Sequence, residues 1–184
     1  MDAPYFAVAT IPEGVELREA GIETPILILG YVDEKDMDTA VQYGITVPVY
    51  DRETAELISA AAERTGKPVT VHYKLDTGMT RLGFPSWECE QTVQDILACS
   101  KLPGLISEGI FTHFAVADVP RARRTRNCST SASRMCARVC KRPVLTCRCA
   151  LCEQRRHPDL RKDALHDDPC GHYPVRLSAR SIRP

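Results

Sequence analysis

The chain has no long apolar run and few aromatic residues. These two features limit the class of protein to which it can belong. No apolar run in its 184 residues is long enough to cross a bilayer, and residues 1–4 have neither the basic segment nor the apolar core of a signal peptide. Aromatic residues make up only 6% of the chain, and Tyr173 is the only one after residue 120. Stacking surfaces for single-stranded nucleic acid are therefore missing there. We expect a cytoplasmic protein that binds neither membranes nor nucleic acid.

The formal net charge of zero averages two unlike halves. Residues 1–120 contain 8 Lys+Arg and 19 Asp+Glu, a net charge of −11, whereas residues 121–184 contain 16 and 5, a net charge of +11. Seven of the nine cysteines also follow residue 120. Such an asymmetry indicates two segments of different origin or function, with a boundary near residue 120.

The first half shows alternating strand and helix patterns. Short apolar runs predict strands, and segments with helical spacing between them end at glycines. Strands that alternate with helices favour a parallel sheet with right-handed crossovers. The predicted strands are 6–10, 26–29, 45–49, 69–76 and 106–112, and the predicted helices are 12–20, 33–43, 51–65 and 88–98.

The most informative stretch is residues 69–84, an apolar, β-branched strand that runs into a Thr77-Gly78 break. Lys74, Asp76 and Arg81 lie at its carboxyl end, which is where parallel α/β proteins meet their ligands. The alternative is a core strand that continues into a solvated loop whose charges pair with one another. Spacing alone does not decide between the two.

The residues of this stretch resemble a known family. Lys74-Leu-Asp-Thr-Gly-Met-Thr-Arg-Leu-Gly-Phe84 is similar to the signature of alanine racemases, whose usual form has glycine in place of Thr80. The segments 5–21 and 25–30 resemble the family's second strand, helix and third strand. Gly109-Ile-Phe-Thr-His-Phe-Ala-Val-Ala-Asp118 resembles its active-site histidine strand. The resemblance implies a partial TIM-type (β/α) barrel over residues 5–118, because 184 residues are short for the about 250 of a complete barrel.

The resemblance also implies roles for individual residues. Alanine racemases use pyridoxal 5'-phosphate and act on a small amino acid. The arginine that matches Arg81 holds the phenolic oxygen of the cofactor and helps to bind the substrate carboxylate, and the lysine that matches Lys74 is commonly carbamylated and orients that arginine. His113 matches a histidine that packs beside the pyridine ring, and Leu29 matches an apolar pocket residue. The plain alternative for His113 is a structural residue at a strand end, and Asp76 and Asp118 are expected only to cap turns or to pair with neighbouring cations.

Two groups that the family uses for proton transfer have no match in this chain. The lysine that binds the cofactor covalently precedes the segment matched by residues 5–10, and the second group is a tyrosine of a carboxyl-terminal domain donated across a homodimer interface. Racemisation needs an acid or base on each face of the α-carbon. We therefore expect a fragment that is inactive by itself, from an enzyme that supplies D-alanine for peptidoglycan. A related racemase that acts on serine is the alternative within the same class.

Residues 121–184 are predicted to be largely irregular, because they show neither helical nor strand periodicity. Our preferred interpretation is a frameshifted translation: back-translation in the two other frames can spell segments that resemble the family, with frame changes near residues 117–121 and 149. The alternative is a non-catalytic, cysteine-rich metal-binding module. Only Cys149-Ala-Leu-Cys152 has the paired spacing of a zinc site, and no second pair follows it.

Overall fold

The computed structural model describes residues 5–113 and 148–152. The strands in this part of the chain are β1 (Phe6–Val8), β2 (Ile26–Ile28), β3 (Val47–Val49), β4 (Val69–Asp76), β5 (Phe84–Pro85), β6 (Leu105–His113) and β7 (Arg148–Cys152). The α-helices are α1 (Ile11–Glu19), α2 (Met37–Gln42), α3 (Arg52–Thr65) and α4 (Cys89–Cys99), and a 3-10 turn, Glu34–Asp36, precedes α2. Within these residues, no helix has the length and apolarity needed to cross a membrane.

All strand pairs in the described residues are parallel, and all strands except β5 neighbour one another in chain order. β1 pairs with β2, β3 with β4, β4 with β6 and β6 with β7. A bridge from Leu27 to Thr46 continues this order from β2 to β3. The two-residue strand β5 pairs with the end of β4, at Leu75 and Asp76. Since β6 also pairs with these residues, β5 lies on the edge of β4 that β3 leaves open beyond Tyr73.

The sheet separates two apolar clusters by the alternation of its side chains. Val71, Tyr73 and Leu75 of β4 belong to the large cluster, in which the helices pack on the outer face of the sheet. Leu27 and Phe111 belong to a small cluster on the opposite, inner face. Helices on one face and a second packed face on the other are the arrangement of a β/α barrel wall.

Helix α3 shows how the sequence places the helical layer. The Asp51 carboxylate accepts a hydrogen bond from the Thr54 N–H at 2.7 Å, which caps the amino end. Gly66 ends the helix with a φ of 69°, a left-handed conformation that glycine adopts without strain. Between the caps, one face of the helix is buried against the sheet, at Ala55, Ile58, Ala61 and Ala62 among others.

The predicted fold class is confirmed, and the differences are local. The predicted helix 33–43 is divided into a 3-10 turn and a short α-helix, because Asp33 caps a tight turn through the Lys35 N–H before α2 begins. β5 and β7 were not predicted. Apart from β7, which includes Cys149 and Cys152, the segment 121–184 lies outside the described residues, and so does most of the predicted frameshift.

Candidate functional site

A pocket opens at the carboxyl ends of β4 and β6, which lie side by side in the sheet. Two of its walls are strand residues, and the third is the loop that follows β4. Its lining residues are Lys74, Leu75, Asp76, Met79, Arg81, Leu82 and His113. The pocket therefore collects three groups that are cationic or can become so at the end of the barrel where ligands bind.

Lys74 is held in place on the inner face of the sheet. Only 5% of the residue is exposed. Its Nζ donates a hydrogen bond to the Leu29 carbonyl at 2.7 Å and lies 5.7 Å from the centroid of the Phe111 ring. The structure thus brings Leu29 to the site through its backbone oxygen, and its side chain packs with the small inner cluster.

His113 lies at the end of β6, where burial and neighbouring charges both act on its pKa. Burial lowers its pKa from the usual 6.5, and the nearby charges of Arg81 and Lys74 lower it further. The imidazole is therefore held in its neutral form, with one nitrogen able to donate and the other able to accept a hydrogen bond. Arg81 is exposed, and its guanidinium faces the same pocket.

Thr80, where the family has glycine, adopts a left-handed backbone conformation with a φ of 51°. It is the only described residue other than glycine with a positive φ. A β-branched residue in this region is a true outlier, and such strain costs on the order of 1–3 kcal/mol. The departure from the family pattern therefore acts on the backbone next to Arg81, since the site's charged groups are unchanged.

A second polar cluster, on the inner face, was missed by the sequence analysis. The register of β4 and β6 shifts between Val71 and His72, which makes Glu108 the extra residue of a β-bulge. The Glu108 carboxylate accepts a hydrogen bond from the Tyr5 hydroxyl and lies 3.2 Å from His72 Nε2. His72 is 2% exposed, and its Nδ1 has no hydrogen-bond partner. The available signal was a glutamate followed by Gly109 within an apolar strand.

The geometry defines a class: a parallel β/α barrel wall with a cationic pocket at the carboxyl ends of its strands. The family model described as "Alanine racemase, N-terminal domain" matches residues 1–150. The chain belongs to the alanine racemase family.

Curated relatives and solved structures agree with this assignment. The chain is 43% identical over 124 residues to an alanine racemase of Desulforamulus reducens, covering 67% of this chain and 33% of the relative. It is 45% identical over 117 residues to one of Methanococcus maripaludis, covering 63% and 31%. The alanine racemase of Clostridium difficile 630 in complex with cycloserine superposes with a TM-score of 0.76 at 36% identity, covering 82% of this chain and 41% of that structure.

A histidine racemase from Leuconostoc mesenteroides also matches, with a TM-score of 0.63 at 30% identity over 71% of this chain and 34% of that structure. The chain spans about a third of the length of the curated relatives it matches. The comparisons thus describe the barrel part of these enzymes.

Removal of the Glu108 carboxylate is expected to destabilise the fold. In Glu108→Leu the Tyr5 hydroxyl and His72 Nε2 lose a shared acceptor, so we expect the free energy of unfolding to fall by about 1–3 kcal/mol. Glu108→Gln keeps one acceptor oxygen and should lose less. Urea denaturation measures the change. The matched control is Glu56→Leu on the exposed face of α3, and equal losses in the two leucine variants would contradict the assigned network.

Neutralising Arg81 is expected to raise the pKa of His113 toward its usual value, because one of the two cations that lower it is removed. A lowered histidine pKa contributes stability that is present above the unfolded value of 6.5 and is lost as pH falls through the folded value. In Arg81→Gln that loss should still begin near the unfolded value of 6.5, but it should be smaller and should be complete at a higher pH. NMR titration of the His113 ring protons measures the shift, with Arg64→Gln on α3 as control. An unchanged titration would show that Arg81 does not act on His113.

Proposed function

We propose that residues 5–113 form the cofactor-binding and substrate-carboxylate-binding part of an alanine racemase. The observation that supports this most directly is the convergence of Lys74, Arg81 and His113 on one pocket at the carboxyl ends of β4 and β6. Excess positive charge in a concave site attracts anions.

The residues of the pocket fit pyridoxal 5'-phosphate, which has an aromatic ring and carries negative charge. Arg81 offers fixed, parallel donors for the phenolic oxygen or a substrate carboxylate, and it stays charged at any relevant pH. His113, neutral by its lowered pKa, can lie against the ring without adding a further charge. The cofactor, when bound, serves as the electron sink for a carbanion at the α-carbon of the amino acid.

The described residues supply positioning rather than proton transfer. Among residues 5–113 the pocket has Lys74 as its only lysine and no tyrosine. Lys74 is engaged with the Leu29 carbonyl. An acid and a base on opposite faces of the α-carbon therefore have to come from elsewhere in the assembled enzyme. We propose that this assembly is a cytoplasmic homodimer that supplies D-alanine for peptidoglycan.

Binding of pyridoxal 5'-phosphate tests the proposed site. The chain has a single tryptophan, Trp87, two residues beyond Pro85, which pairs with Asp76 of the pocket. Titration with the cofactor should quench its fluorescence to saturation, and Arg81→Gln should weaken binding by about tenfold or more. Arg64→Gln, an exposed arginine on α3, is the matched control.

Equal affinity in the two arginine variants would contradict the proposed role of Arg81. Absorbance in the same titration reports the mode of attachment, and we expect no lysine-linked cofactor band from this chain. Because a histidine racemase shares the fold, substrate preference is measured separately in the intact enzyme of the same locus, with alanine, serine and histidine side by side.

We propose further that residues 1–120 are a partial racemase barrel domain and that residues 121–184 are a frameshifted translation of the same gene. The reversal of charge near residue 120 supports this, as do alignments with curated relatives that span only 124 and 117 of the 184 residues. The family model extends its match to residue 150, which is past the proposed boundary.

The nucleotide sequence of the locus distinguishes a frameshifted translation from a metal-binding segment that is encoded in frame. We expect indels near codons 117–121 and 149 that, once corrected, restore family segments, and a lysine-bearing first strand encoded upstream of Met1. An intact reading frame through codons 117–155 would contradict the frameshift. Stoichiometric zinc in the purified protein would then favour the metal-binding alternative.

A further inference from the structure

The loop between β4 and β5, residues 77–83, carries Arg81 and is fixed at both ends. At its start, the Thr77 hydroxyl lies 3.0 Å from the Thr112 hydroxyl of β6. At its end, Gly83 has a φ of 132°, and a Cβ there would lie 2.6 Å from the Asp76 nitrogen. Only glycine permits this approach, after which the chain pairs with β4 again as β5. We call residues 77–83 the return loop.

The Asp76 side chain, at the end of β4, organises the return loop. Its Oδ1 accepts hydrogen bonds from the Gly78 N–H at 2.8 Å and the Thr80 N–H at 3.1 Å. Asp76 is 8% exposed, so these bonds are formed largely out of water. Two backbone donors on one fixed oxygen determine the path of the chain from residue 78 to residue 80.

That path includes the strained residue. Thr80 is held at a φ of 51°, although a β-branched residue on a free loop would prefer an extended backbone. The other hydrogen bond of Thr80 joins its own hydroxyl to the adjacent Met79 carbonyl at 2.9 Å, and so local a bond does not anchor the loop to the sheet. The bond from the Thr80 N–H to Asp76 does, and it therefore opposes the strain.

We propose that Asp76 is a positioning residue, whose carboxylate oxygen holds Thr80 in the left-handed conformation and so aims Arg81 into the pocket. Arg81 follows Thr80 directly, and relaxation of residue 80 to an extended backbone would turn the next side chain away. Asp76 acts through its acceptor oxygen, so asparagine, which keeps a carbonyl at the same place, is able to replace it. The ordering of the return loop depends on this chain alone, whereas its consequence for ligand binding rests on the proposed function.

Hydrogen exchange of the full chain, followed by mass spectrometry of peptides over residues 77–84, tests the loop directly. Asp76→Ala should speed exchange of these amides by about tenfold, whereas Asp76→Asn should keep most of the protection. Asp33→Ala is the matched control, because Asp33 also accepts a backbone N–H bond but in the turn before α2, outside the return loop. It should leave the return loop unchanged.

A double-mutant cycle separates this role from general stabilisation. Thr80→Gly removes the strain, so Asp76→Ala in that background should accelerate exchange clearly less than it does beside threonine. Equal acceleration in both backgrounds would overturn the proposal. Should Asp76→Ala fail to fold, the comparison of Asp76→Asn with the parent chain remains decisive, since loss of protection in this variant would also overturn it.

The ligand readout distinguishes failure of the inference from failure of the proposed function. Quenching of Trp87 by pyridoxal 5'-phosphate should weaken in Asp76→Ala to about the level of Arg81→Gln, and Thr80→Gly should restore part of the affinity. If Arg81→Gln itself has no effect while the exchange cycle behaves as expected, the positioning of the loop stands and the proposed site fails. If Arg81→Gln weakens binding and the cycle is additive, the site stands and the role of Asp76 fails.

Discussion

Strand β4 is the element on which the rest of the structure depends, because both of its faces are covered and each has a different task. Tyr73 and Leu75 pack under the helices, while His72, Lys74 and Asp76 point to the opposite face. Side chains alternate between the two faces, so a shift of the strand register by one residue would place the polar and charged side chains under the helices and the apolar ones on the opposite face. The packing of the outer face thereby fixes which polar groups reach the pocket.

The second constraint is the charge of the pocket, whose lining has more basic than acidic side chains. Asp76 lines the pocket, but its Oδ1 is occupied by backbone N–H groups of the return loop. The lining has two basic side chains, Lys74 and Arg81, against one carboxylate, Asp76, and the lowered pKa of His113 keeps this ring from adding a further positive charge. A site with this field gains most from an anionic ligand. This preference belongs to the proposed function and is consistent with the family to which the chain belongs.

The alternation of strands and helices was predictable, because short apolar or β-branched runs alternate with segments of helical spacing, and α3 has clear end signals in Asp51 and Gly66. Other features depend on more than one segment. The bulge at Glu108 is a matter of register between β4 and β6, which neither strand reveals by itself. β5 is two residues long and contains a proline, and β7 lies where composition gives no strand pattern. For the site, the sequence pattern predicted that Lys74 and Arg81 lie at the end of one strand. Their roles could be predicted only from the resemblance to a family.

The signature around Arg81 combines residues that act by chemistry with residues that act by backbone geometry. Arg81 supplies the charge, whereas Asp76 supplies an acceptor, Gly83 a close approach and position 80 a left-handed turn. We expect substitution of the first kind to alter what the pocket binds, and substitution of the second kind to alter how firmly Arg81 is held. Thr80 is of the second kind: it leaves every charged group of the pocket in place and makes the Asp76 hydrogen bonds more necessary than they would be beside glycine.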